Sequence, residues 1–80
     1  TDLAMTKLPQ ISGAALVRAL KRDGWQRVSQ KGSHLKLVKH LEPIGKTMVI
    51  VPMHKTLKKG TLHGILKDAH LSKEKLTKLL

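Results

Sequence analysis

The chain has no cysteine, no phenylalanine and no tyrosine, a single tryptophan, and only 5 acidic residues among 80. Each shortage closes off a class of chemistry. Without cysteine there is no disulfide, no thiolate nucleophile and no cysteine-containing zinc site. With Trp25 as the one aromatic side chain, the stacking platforms on which RRM and OB domains lay bases are missing. The few acids form no cluster of the kind a two-metal nuclease uses, and no His-x-x-x-His spacing occurs, so no metal and no other cofactor is expected. Apolar runs are short: none approaches the roughly 20 residues of a membrane span, and no signal peptide is evident. A soluble, cytoplasmic protein is the expectation.

Positive charge is what the chain has in excess. Lys and Arg number 16, for a formal net charge of +11. In so short a chain that charge resists compaction unless a polyanion or an acidic partner offsets it. Nucleic acid is the first candidate and a membrane surface the second. Eighty residues build one domain around one modest core. Thr1 to Ala4, ahead of Met5, fit neither helix nor strand and read as a remnant outside the fold, which leaves residues 5–80 as the domain.

Periodicity and turn residues order the rest. Ser12 is a good N-cap, Ile11 and Leu16 sit where a hydrophobic staple needs them, and Leu16 with Leu20 and Ala15 with Ala19 repeat at helical spacing. A first helix is predicted from about Gly13 to Arg22 or Asp23, stopped by Gly24, with Lys21 and Arg22 complementing its dipole. Lys7, Arg18, Lys21 and Arg22 are left for solvent or for a phosphate backbone. Trp25 to Gln30 reads as a strand anchored by Trp25 and Val28, with the indole in the core. A second strand, His34 to Lys39, alternates Leu35 and Leu37 with His34, Lys36 and Val38. Leu41 to Lys46 reads as a loop from its Pro and Gly. Thr47 to Met53 is β-branched or apolar at nearly every position and predicts a central or largely buried strand, ended by Pro52. Thr61, or a residue just before it, should cap a second helix with Leu62, Ile65, Leu66 and Ala69 inward, and Ser72 opens a last helix over Lys73–Leu80.

The candidate site is Lys31-Gly32-Ser33-His34-Leu35-Lys36. Gly32 takes a positive φ at little cost and suits the tip of a tight hairpin. His34 then opens the returning strand, and imidazole is the side chain that exchanges protons near neutrality. Lys31 and Lys36 can hold an anion beside it. The alternative is a plain hairpin with a solvated histidine. Further along, His54 follows the Pro52 stop, and Lys58 and Lys59 with the free N–H groups of the helix start form either a phosphate cradle or a solvated linker. His40, His63 and His70 have no supporting context and read as surface residues.

Four blocks together resemble the HicA family of mRNA interferase toxins. They are Gly13 to Gly24-Trp25, Gly32-Ser33-His34, Val49-Ile50-Val51-Pro52-Met53-His54, and Lys59-Gly60-Thr61-Leu62 through Ile65-Leu66-Lys67. Two positions depart from the pattern. Leu35-Lys36-Leu37 stands where many members carry a second histidine or an aromatic, and Lys59 stands where many carry proline. The resemblance implies an α+β fold like a double-stranded-RNA-binding domain, ordered α-β-β-β-α-α, with a three-stranded antiparallel sheet and its helices on one face. It also implies a catalytic histidine at His34, metal-independent cleavage of mRNA, and an acidic HicB-type antitoxin that covers the site, with DNA reached only through that complex.

Residues and resemblance meet on one mechanism: without a metal, RNA is cut through its own 2′-hydroxyl. His34 is the expected base, with Lys31 and Lys36 stabilising the charge that develops on the phosphoryl oxygens. Gly32, Ser33, Lys58 and Lys59 complete the expected RNA contacts. His54 is either a second group of the site, as acid or phosphate ligand, or a structural or exposed residue. Two other readings stay open. One is a non-catalytic module that holds RNA by the same basic face; the other is a DNA- or membrane-surface binder recruited by charge alone.

Overall fold

The computed structural model of the protein describes residues 8–80, so the remnant assigned to residues 1–4, the domain start at residue 5, and Lys7 lie outside the described residues. The elements are α1 (Gly13–Arg22), β1 (Gln26–Lys31), β2 (His34–Leu41), β3 (Gly45–Pro52), α2 (Lys59–Asp68) and α3 (Lys73–Leu79). The strands form one antiparallel sheet in the order β1-β2-β3. This is the predicted α-β-β-β-α-α order, an α+β fold consistent with the double-stranded-RNA-binding-domain architecture. No helix among the described residues is long and apolar enough to cross a membrane.

Each helix begins where two apolar side chains bracket its first turn. The Ser12 hydroxyl accepts from the Ala15 N–H at 3.0 Å, with Ile11 and Leu16 at the staple positions. Ser72 does the same for α3, accepting from the Lys75 N–H at 3.0 Å between Leu71 and Leu76. In α2 the N-cap is Lys58, which makes no side-chain cap, and Thr61 lies inside the first turn. Leu57 and Leu62 set that start instead. Both are buried, and with N′ and N4 held in the core the helix must begin between them.

Two helices end alike. After α1 the Gly24 N–H donates to Lys21 O and the Trp25 N–H to Leu20 O; after α2 the His70 N–H donates to Lys67 O and the Leu71 N–H to Leu66 O. Both are Schellman closures, which need a left-handed residue at C′. Gly24 supplies it with φ +97°, and His70 supplies it with φ +55°. His70 therefore ends a helix.

The core lies between one face of the sheet and the helices: Leu35, Leu37, Val49 and Val51 pack with Leu16, Leu20, Leu62, Leu66, Leu76 and Trp25. Two sequence expectations fail here. β3 is an edge strand, because consecutive hairpins put each strand beside its neighbour in sequence and so place β2 in the middle. Only Val49 and Val51 of β3 are buried, while Met48 and Ile50 are exposed. Val28 is no core anchor either, at 54% exposed. A β-bulge between Arg27 and Ser29 takes it out of the pairing, and every residue of β1 is exposed. Trp25, just ahead of that strand, reaches the core as expected. The loop predicted over Leu41–Lys46 narrows to residues 42–44, since Leu41 pairs with Gly45 and His40 with Lys46.

Candidate active site

The β1–β2 hairpin closes with Lys31 opposite His34, which leaves Gly32 and Ser33 as a two-residue turn. Gly32 has φ +60° and Ser33 is not left-handed, the pattern of a type II′ turn with glycine first. A Cβ on Gly32 would meet nothing within 4 Å, so backbone conformation rather than crowding requires the glycine. The turn is braced on both sides. Gln30 Nε2 donates to Gly32 O at 3.0 Å, and Arg27 Nη2 donates to Gln30 Oε1 at 3.2 Å. On the other side the Met53 N–H donates to Ser33 O at 2.6 Å.

That second brace continues into the helices. The Gly13 N–H donates to His54 O and the Leu57 N–H to Ile11 O, each at 2.9 Å. A Cβ on Gly13 would stand 2.1 Å from Pro52 O, so the start of α1 packs directly on the end of β3. Pro52 is in turn the strand partner of His34. The backbone under the imidazole is thus held by β1, β3 and α1 together, while the imidazole itself is exposed.

Alternation along the strands decides what accompanies it. On β2, Leu35 and Leu37 go to the core, so His34, Lys36, Val38 and His40 share the open face. Register adds Lys31 and Ser29 from β1 and Ile50 from β3. Ser29, Lys31, His34, Lys36 and Ile50 line one shallow depression of about 520 Å³. The structure brings Lys31, His34 and Lys36 together and uses Gly32 and Ser33 as the turn that aims them. It does not bring in His54, which is exposed past the end of β3, nor Lys58 and Lys59, which are the cap and first residue of α2.

Sequence reasoning missed Ser29 and Ile50. The two-residue turn with Lys31 opposite His34 already sets Ser29 opposite Lys36, but a lone serine in a strand has no residue-type signal of its own. A reading of β3 as buried hid the second. It also missed Gln30 and Arg27 as braces, since both are ordinary polar residues of an edge strand.

Charge is unbalanced at the depression. Among the described residues Lys39 forms an ion pair with Asp23, Nζ to Oδ2 at 3.1 Å, and the His40 ring hydrogen-bonds Glu42, Nε2 to Oε2 at 2.6 Å. Neither involves Lys31, His34 or Lys36. Arg22 is also engaged elsewhere, with Nη1 donating to Leu79 O at 2.6 Å. Two basic side chains that face water without a carboxylate make the open face near His34 attractive to an anion. No three His, Asp or Glu side chains among the described residues come together as ligands for a cation.

A second depression, about 410 Å³ between α2 and α3, contains His63 with Leu66, Lys67, Leu71, Ser72, Lys73 and Glu74. It suits catalysis on a phosphate less well. Its hydroxyl is already the cap of α3, and Glu74 opposes an anion there.

No curated protein matches the chain as a relative. A family model does: the HicA toxin of bacterial toxin-antitoxin systems matches residues 13–71. That span runs from the glycine packed on Pro52, through the Gly-Ser-His turn and the whole sheet, to the Schellman closure of α2, and the chain belongs to the HicA toxin family.

Proposed function

We propose that the protein is a metal-independent endoribonuclease that cleaves mRNA, with His34 as its general base. The observation that carries this reading is the shared depression of His34, Lys31 and Lys36 on the open face, free of carboxylates. His34 removes the proton of a ribose 2′-hydroxyl, the 2′-oxygen bonds to the adjacent phosphorus, and the bond from phosphorus to the 5′-oxygen breaks. Lys31 and Lys36 stabilise the charge that grows on the non-bridging oxygens. The departing 5′-oxygen needs one proton, and water supplies it unless His54 swings in from beyond the depression. Lys58 and Lys59 at the start of α2 hold the RNA backbone further along.

Product ends test the chemistry. This route leaves a 2′,3′-cyclic phosphate and a free 5′-hydroxyl, proceeds in excess EDTA, and spares a DNA oligonucleotide of the same sequence. Cleaved DNA, or activity lost to chelation and restored by metal, would replace the mechanism with a metal-dependent one. An RNA that is bound tightly and never cut would leave a binding module on the same basic face.

The substrate places the toxin's action in the cytoplasm. Its partner in the toxin-antitoxin pair is an acidic HicB-type protein that covers His34, its carboxylates taking the place of RNA phosphates against Lys31, Lys36 and Lys58. DNA is reached only through that complex. A complex that cut RNA at the free toxin's rate, or left His34 as open to solvent as in the free chain, would contradict this.

A further inference from the structure

The open face of β3 carries apolar side chains that the fold does not use. Met48 and Ile50 stand opposite Val38 and Lys36, turned away from the helices, and are 49% and 42% exposed. Outward positions of a sheet with one wet face are ordinarily polar. Ile50 is also part of the depression that holds His34. It lies two residues along and one strand across from the histidine, roughly 8 Å by strand geometry.

The depression is divided by chemistry. Lys31, Lys36 and the Ser29 hydroxyl lie over β1 and β2, while the apolar wall lies over β3. At about 520 Å³ and open to solvent, the depression has room for one nucleotide unit. A nucleotide has the same division as the depression. Its base is attached to the ribose carbon next to the one that bears the 2′-hydroxyl, so a hydroxyl presented to His34 brings its own base within reach of β3. With Trp25 buried in the core, no indole is available to that base, and the apolar surface the depression offers it is that of Ile50.

We propose that Ile50, with Met48 beside it, is the platform for the base of the nucleotide whose 2′-hydroxyl faces His34. The proposal rests on the nuclease reading above. Lys31, Lys36 and Ser29 then hold the phosphate half of the same nucleotide, and the apolar wall fixes the ribose between them. Ile50 is a binding residue that positions the 2′-hydroxyl by way of the base.

The test uses an oligoribonucleotide with a mapped cleavage position, and the same oligonucleotide lacking the base on the 5′ side of that position, its ribose and 2′-hydroxyl intact. Single-turnover rates are measured for the wild type, Ile50→Thr and Ile50→Val, with a melting curve for each. Removing the base should slow the wild type about tenfold, in the range that loss of one stacked base produces. Ile50→Thr should slow the intact substrate by a similar factor and the abasic one no further, while Ile50→Val stays within about twofold of wild type. Wild type that cuts the abasic substrate at full rate overturns the proposal whether or not Ile50→Thr folds. So do losses that multiply, and so does an Ile50→Thr protein that cuts normally but loses the antitoxin, which would give the apolar wall to the protein partner. A wild type that cuts neither substrate overturns the nuclease reading itself and is recognised by the absence of any product.

Discussion

Leu35 and Leu37 face the helices from β2, and His34 and Lys36, their immediate neighbours, face water. The two leucines are 4% and 0% exposed and lie in the core, while His34 and Lys36 make no ion pair and no side-chain hydrogen bond among the described residues. One strand thus carries two kinds of residue. Burying a leucine side chain contributes about 1.5–3 kcal/mol, so the covered face holds the domain together. Side chains on the open face contribute little to that, and are left available for a ligand.

Substitutions on the two faces should separate cleanly. His34→Ala is expected to reduce RNA cleavage by roughly 10² to 10⁴, the usual yield of general acid–base catalysis, with a melting curve close to wild type. Leu37→Ala should do the reverse, costing about 2–5 kcal/mol of stability through the cavity it leaves. Calorimetry and a cleavage assay on both variants check the contrast. An active, folded His34→Ala protein would break it.

Gly13 joins the two faces, because it touches the end of the strand that pairs with His34. By helix propensity alone Gly13→Ala should stabilise α1 by up to about 1 kcal/mol. With Pro52 O at 2.1 Å from the new Cβ, the expected result is instead a loss of about 1–3 kcal/mol, and slower cleavage as β3 shifts. A variant that melts later than wild type would show that this contact is not rigid.

The lysines sharpen the comparison on the open side. Lys31→Ala and Lys36→Ala should each reduce the dependence of log affinity on log salt by about 0.7 for single-stranded RNA, at nearly unchanged thermal stability. Binding titrations over a range of salt concentrations measure it. A slope equal to that of wild type would remove that lysine from the phosphate contacts.

The smallest effect belongs to a residue at the end of α2, outside the depression of His34. His70 closes α2 with φ +55°, a conformation that disfavours any side chain. His70→Gly should raise stability by up to about 1 kcal/mol and leave cleavage alone. Loss of activity would give this histidine a role that its place at a helix end does not suggest.

Much of this was legible in the chain. The Ser12 cap, the Gly24 stop, the alternation of β2 and the Gly32 turn depend on residues within a few positions of one another, and each was read with nearly its observed bounds. His70 and the Lys58 start of α2 escaped because neither is a residue type that announces its job. A histidine in the left-handed region and an uncapped helix start are both imposed by the leucines around them, Leu71 with Leu66 and Leu57 with Leu62.

Local pattern therefore determined the order of elements, the buried face of α2 and of β2, most of that of α1, and the histidine at the hairpin mouth. Strand pairing decided the rest. Counted back from the two-residue turn, a regular ladder would set Val28 opposite Leu37, on the core face, and Arg27 opposite Val38. The bulge at Val28 adds one residue to β1, so that Arg27 pairs with Leu37 and Gln26 with Val38 while Val28 is left out of the ladder and away from the core. Sheet order did the same for β3, turning half of a run of apolar residues into an exposed wall beside the imidazole. A sequence carries the period of a strand, and a tight turn sets the register beside it, but where a bulge interrupts the ladder and which strand lies at the edge depend on backbone hydrogen bonds to another strand.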